Sequence, residues 1–199
     1  MSAAGEIASF DATLGDRHGA AAHERFRRLV IPHLDAAYNL ARYLARDPDV
    51  AQDLVQDAFL RALRSFGTFR GEDARPWLLA IVRNRFLTWA TSRRSERIVS
   101  LEGGGSDAEA PALPDPDQED PEAALMRRDD ITTLRDLIEA LPSPFREVLV
   151  LREIEELSYQ EIATVTGTPI GTVMSRLARA RQVLQRSWRS LSENREDGR

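Results

Sequence analysis

"GTPIGTVMSRLARARQ", Gly167 to Gln182, sets two glycines and a proline ahead of a strongly helical run. Arg176, Arg179 and Arg181 crowd that run, and no acid follows until Glu193. Shortly before it stands "SYQE", Ser158 to Glu161, the pattern of a capping box. In such a box hydroxyl and carboxylate satisfy each other's backbone donors. A short helix through Val165, a turn at Gly167 and a longer helix together predict a helix-turn-helix. Ile162 and Val165 are expected to face inward, and Ala163 is small enough to let the helices cross closely. Gly167 suits a left-handed turn residue. Ile170, Val173, Leu177, Ala180 and Leu184 predict the buried stripe of the second helix. The opposite stripe is Thr172, Ser175, Arg176, Arg179, Gln182 and Arg186. Hydroxyl, amide and guanidinium groups reach phosphate oxygens and major-groove base edges. A solvated arginine face is the plainer alternative for one helix. The cap, the turn and the acid-free face together favour DNA binding.

The surrounding composition sharpens this. The chain has 199 residues and net charge -5, but the charge is segregated. Residues 24–97 carry fourteen Arg against nine acids, while 98–130 carry two Arg against ten. There is no cysteine, which excludes disulfides and thiolate metal sites and fits a reducing, cytoplasmic setting. His18, His23 and His33 have no metal-like partner set, and no acid, His or Ser constellation suggests an enzyme. No metal, cofactor or catalytic residue is expected. No apolar run approaches a membrane span, and no signal peptide is visible, so no membrane insertion is expected.

The segment 98–127 is rich in Gly, Pro and acids and is read as a flexible acidic linker. It divides an all-α chain into two small helical domains, 24–97 and 128–191. Residues 1–23 are expected to be a partly disordered extension, and 192–199 a tail. In the first domain Phe26, Leu29, Val30, Leu34, Ala37, Leu40, Ala41 and Leu44 recur at helical spacing. Asp47 should cap the next helix, with Pro48 in its first turn. Pro76 should start another, through Trp77 and Phe86. In the second domain Ser143 is expected to cap the helix that follows "LP".

"DLVQDAFLRAL" places Asp53, Gln56, Asp57 and Leu60 along one helix side, either a solvated face or a docking surface. "FRGEDARPWLLAIVRNRFLTWATSRR" interleaves Arg70, Arg75, Arg83, Arg85, Arg93 and Arg94 with Phe69, Trp77, Phe86 and Trp89. Arginine with aromatic rings suits single-stranded nucleic acid. Trp77 and Phe86 read more readily as core, and Asn84 and Arg85 as polar contacts.

These motifs, in this order, resemble a bacterial RNA polymerase sigma factor of the extracytoplasmic-function type. "DLVQDAFLRAL" and "FRGEDARPWLLAIVRNRF" are similar to region two, and "LPSPFREVLVLREIEELSYQEIATVTGTPIGTVMSRLARAR" to region four. The resemblance implies a subunit that binds core RNA polymerase, recognises promoter DNA as duplex and single strand, and is commonly held by an anti-sigma factor. It implies polymerase docking through Asp53, Gln56, Asp57 and Leu60. It implies minus-ten contacts by Arg70, Asn84, Arg85 and Arg93. Minus-35 contacts would come from Thr172, Ser175, Arg176 and Arg179, with Arg152 near the DNA backbone. Two positions depart from the family pattern: Met174, often Lys, and Thr88, often Asp. The rivals are a stand-alone helix-turn-helix regulator, which needs a dimer seam not visible here, and a helical protein that only sequesters partners.

Overall fold

The computed structural model describes the backbone of residues 21–99 and 121–196, and the side chains of 21–93 and 130–191. Among these residues there is no strand. Most of the extension, residues 1–20, most of the linker, 100–120, and the end of the tail, 197–199, lie outside them.

The first domain starts with α1 (21–30). Pro32 then interrupts the apolar periodicity, and Ile31–His33 forms a tighter 3-10 turn before α2 (Leu34–Ala45). The single helical run read from Phe26 to Leu44 is thus two helices, because proline lacks the amide that a continuous helix needs. Arg46 ends α2 in the left-handed conformation, its φ at 60°. α3 (Pro48–Ser65) begins as expected: the Asp47 carboxylate accepts from the amides of Asp49 and Val50 at 3.0 and 3.1 Å. A 3-10 turn (Phe66–Thr68) and a loop lead to α4 (Arg75–Val99). α2, α3 and α4 pack on one another around Leu40, Leu54, Ala58, Leu78 and Val82.

The second domain starts with α5 (Pro121–Ala140), whose first seven residues fall inside the stretch read as linker. α6 (Ser143–Leu149) follows. Ser143 does not cap it. The cap position is Pro142, whose carbonyl accepts from the Phe145 and Arg146 amides at 2.9 and 3.0 Å. The chain then widens into one π turn (Val150–Ile154), closed by the Glu155 amide on the Val150 carbonyl at 3.0 Å. α7 (Tyr159–Thr166) and α8 (Ile170–Glu196) complete the domain, with α8 laid across α6 and α7.

The two domains pack against each other: α4 lies on α7, and α2 on α6. Buried apolar residues of both domains belong to one core cluster, and ion pairs cross the seam as well. Arg42 meets Glu139 at 3.2 Å, Arg83 meets Glu147 at 2.6 Å, and Arg75 meets Glu155 at 2.6 Å. Asn39 donates a further bond to Glu155 at 3.3 Å. Arg146, itself buried, donates to the carbonyls of Glu139, Leu141 and Leu44. These carbonyls sit at the C-terminal ends of α5 and α2, where helix dipoles favour a cation. Burial, and secondarily the nearby Arg46, push the Arg146 guanidinium down to about 10, so it stays charged at neutral pH.

The loop before α4 is held by aromatic stacking. Phe69 lies 4.8 Å from Trp77 and 5.8 Å from Phe66, centroid to centroid. Arg25 covers Phe66 and Phe69 and donates to the carbonyls of Phe69 and Gly71, each at 3.3 Å. Gly71 has no room for a side chain: a Cβ would stand 2.8 Å from the Phe69 ring. Gly71→Ala should therefore displace that ring and lower stability by about 1–3 kcal/mol, the usual cost of overpacking. Thermal unfolding checks this. A variant as stable as the parent would mean that the ring yields freely.

Candidate nucleic-acid interface

The helix-turn-helix forms through local chemistry. The Ser158 hydroxyl donates to the Glu161 carboxylate at 2.5 Å and accepts from the Glu161 amide at 3.3 Å, while the Ser158 amide donates to that carboxylate at 2.7 Å. These bonds, the hydroxyl's first, hold Glu161 below its ordinary value of 4.5. Gly167 ends α7 at φ 62°. The turn is braced by hydroxyl groups. Thr166 donates to the Ile162 carbonyl at 2.7 Å and meets the Thr168 hydroxyl at 2.8 Å. The Pro169 carbonyl accepts from the amides of Thr172 and Val173 and opens α8.

Ile162, Val165, Val173, Leu177 and Ala180 are buried, as the spacing predicts. Ile170 is not. It is 44% exposed and is the first residue of α8, where the helix has only begun. Thr172 and Arg176 are half-buried, while Ser175 and Arg179 are exposed. The Ser175 hydroxyl donates back to the Thr172 carbonyl at 3.0 Å. Met174 is 52% exposed on the same helix.

The arginines of α8 divide by partner. Arg181 donates twice to Glu153, at 3.1 and 2.5 Å, and this bonding raises its already high pKa. Arg176 and Arg179 form no ion pair among the described residues, so their guanidinium groups stay available to an external anion. Arg152 is occupied: it donates to the Leu157 carbonyl at 2.8 Å and stacks over the Tyr159 ring at 5.1 Å. It fixes the loop that delivers Ser158 to its capping position.

In the first domain the expected contacts fall on two connected surfaces. Asp53, Gln56 and Leu60 are exposed on α3. Asp57 beside them is half-buried and pairs with Arg61 at 3.5 Å and with Arg85 of α4. The Arg85 Nε is buried and has no acceptor. Asp57 and Arg85, which the family resemblance assigns to separate partners, are therefore joined in one ion pair. Asn84 is exposed, and its carbonyl accepts from the Thr88 hydroxyl at 2.9 Å. Arg70 is exposed and donates to the Gly67 and Phe69 carbonyls. Arg93 lies over the half-buried Trp89 ring at 5.2 Å, and Trp89 packs near Phe86. Phe86 is buried, and Trp77 is half-buried within the aromatic cluster, which supports the core reading of both.

An apolar groove of about 430 Å³ lies beside Gln56 and Leu60 of α3. Ile31, Leu34, Phe59, Leu60 and Leu63 line it, with Gln52 and Gln56 at its edge. Periodicity missed it, because Ile31 and Leu34 come from the 3-10 turn and α2 while Leu60 and Leu63 come from α3, and only folding brings the two pairs together. Among the described residues no cluster of His, Cys, Asp or Glu is arranged to hold a metal. No described helix is long and apolar enough to cross a membrane.

The capping box gives a pH-dependent prediction. Glu161 has a lowered folded pKa, so its contribution is whole above 4.5 and is lost as pH falls through the lower folded value. Ser158→Ala should cost about 1 kcal/mol at neutral pH. The gap between parent and variant should narrow below that range. Urea unfolding at neutral and acidic pH measures both, and a gap that is constant with pH would refute the carboxylate's part.

Two stretches of the chain match family models. Residues 29–96 match Sigma-70 region 2, and residues 131–184 match Sigma-70, region 4. The chain is 36% identical over 171 residues to the RNA polymerase sigma-H factor of Pseudomonas aeruginosa, covering 83% of this chain and 87% of that one. It is 30% identical over 184 residues to the ECF RNA polymerase sigma-E factor of Escherichia coli strain K12, covering 87% and 92%. Among solved structures it is similar to the sigma factor RpoE in complex with the anti-sigma factor NepR from Bartonella quintana. That match has a TM-score of 0.68 at 29% identity and covers 81% of this chain and 94% of that one. The chain belongs to the sigma-70 family of RNA polymerase sigma factors, in its extracytoplasmic-function branch.

Proposed function

We propose that this chain is a promoter-specificity subunit that docks on core RNA polymerase and directs it to a set of promoters, under control of an anti-sigma factor. It performs no catalysis of its own. The observation that carries the reading is the pair Arg176 and Arg179, without an ion pair among the described residues, on a capped helix-turn-helix in the stretch that matches region four. In this reading α8 enters the major groove of the minus-35 element. Arg176 and Arg179 reach base edges or phosphates, and Thr172 and Ser175 assist. Arg152 acts mainly by positioning the start of α7.

The first domain reads and opens the minus-ten element. Asn84, Arg70 and Arg93 are its polar contacts. The Trp89 ring, already paired with a guanidinium, is suited to stack on an unpaired base. Asp53, Gln56 and Leu60 dock on the polymerase, next to the apolar groove. Arg85 contributes by holding Asp57 in place, and it reaches nucleic acid only when that pair parts. Two weak readers on one chain gain affinity once polymerase holds both at promoter spacing. A cytoplasmic location follows, because core polymerase and promoter DNA must be within reach.

Run-off transcription with core polymerase on genomic fragments tests the reading. Transcripts that depend on this protein are expected. Arg176→Ala should weaken promoter use by about 1–3 kcal/mol of discrimination and relax sequence preference upstream. Active core that yields no protein-dependent transcript would sink it.

A further inference from the structure

Ile31, Leu34, Leu60 and Leu63 are large apolar side chains left 46, 46, 47 and 41% exposed, and all four line one groove. Single exposed apolar residues are ordinary, but a gathered patch marks a contact surface. Phe26 and Phe59 add two rings to the lining. Phe26 lies on α1 (21–30), directly after the N-terminal segment 1–20.

The sequence of that segment has an apolar pattern of its own. Apart from Met1, its only large apolar residues are Ile7, Phe10 and Leu14. The spacing i, i+3, i+7 is the anchor pattern of an amphipathic helix that lies in an apolar groove. Gly15 follows the last anchor, where a helix stop is expected.

We propose that Ile7, Phe10 and Leu14 of the same chain occupy this groove, with residues 6–16 docked across α2 and α3 as a short amphipathic helix. This occupancy stands on the groove and the sequence alone. Its consequence for polymerase rests on the sigma-factor reading: the docked segment covers Gln56 and Leu60, so core polymerase has to displace it.

Reach, charge and affinity support the occupancy. Residues 15–20 separate Leu14 from α1 and span up to about 20 Å when extended. Phe26 lies only about 8 Å along the axis of α1 from residue 21. Residues 6–16 carry Glu6, Asp11 and Asp16 and no cation. Exposed Arg27 and Arg64 stand four residues from Ile31 and Leu60, and on α3 that spacing puts Arg64 on the same face as Leu60. A helix this short is marginal in water, and the groove supplies the burial it lacks. A short tether gives an effective concentration of about 1 mM, so an intrinsic Kd of about 0.1 mM leaves about ten docked molecules for each open one.

The full chain with Phe10→p-benzoylphenylalanine keeps an aromatic ring at the central anchor and makes it photoreactive. Irradiated when dilute, it should cross-link within one chain, to peptides that carry Ile31 and Leu34 or Phe59 to Leu63, as read by mass spectrometry. A fluorescent peptide copying residues 5–16 should bind the full-chain variant Ile7→Ser, Phe10→Ser, Leu14→Ser about tenfold more tightly than the parent, whose groove is occupied. Adding Leu60→Asp should abolish peptide binding, with helicity kept by circular dichroism. If that last variant fails to fold, the cross-link still decides.

A cross-linked dimer overturns the proposal in favour of a second copy of the chain. Cross-links outside the groove, or equal peptide affinity for parent and serine variant, overturn it in favour of a groove left open to another protein. The serine variant should also bind core polymerase about tenfold more tightly. Unchanged core affinity beside a cross-link in the groove overturns the competition with polymerase and leaves the occupancy standing. Failed run-off transcription beside that same cross-link counts against the functional reading alone.

Discussion

Buried charge on Glu147 and Glu155 is the constraint around which the two domains are arranged. A carboxylate taken out of water costs several kcal/mol unless a cation and further donors compensate it. Arg83 supplies the compensation for Glu147, and Arg75 with Asn39 does so for Glu155. Each partner comes from the other domain. Neither carboxylate is satisfied unless α4 lies on α7 and α2 on α6. Such pairs contribute little net stability over an apolar seam of the same shape. They act mainly by excluding other arrangements, since a displaced domain strands a buried charge. The charges thereby fix the geometry, while the apolar core shared by the two domains adds burial.

Arginine serves at least three purposes in this chain, and the partner of each guanidinium separates them. Arg146 and Arg25 hold carbonyls and rings in place. Arg42, Arg75 and Arg83 close the seam. Arg176 and Arg179 form no ion pair among the described residues. The absence of lysine suits the first two roles. Guanidinium is planar, weakly hydrated and charged at any physiological pH, so it tolerates burial beside carbonyls and carboxylates better than ammonium does.

Local rules made the C-terminal motif readable. The capping box, the left-handed Gly167 and the stripe from Val173 to Ala180 depend on residues within a turn or two of each other. The Asp47 cap and the core placement of Phe86 were legible for the same reason. Ile170 misled because periodicity marks a helix face and not how far along that face the packing extends. Ser143 misled because a proline carbonyl did the capping. The pairing of Asp57 with Arg85, the task of Arg152 and the whole seam were invisible. They depend on which charged residue lies opposite which, and sequence spacing carries no such information. Among the candidate site residues, types and helix faces were thus readable, while the division between paired and unpaired groups required the fold.

The π turn at Val150–Ile154 has a consequence for how the seam tolerates change in chain length. Such a turn is an α-helix that has absorbed one extra residue. The surplus residue sets the phase of everything after it: Glu153 turns outward to Arg181, and Glu155 turns inward to Arg75. Each residue advances an α-helix by about 100°. A relative lacking that one residue would keep regular helix through this stretch. Its acid would point away from the seam by more than a quarter turn. Chain length at this bend thus works as a phase setting, which determines whether the two readers lock together or only share a tether.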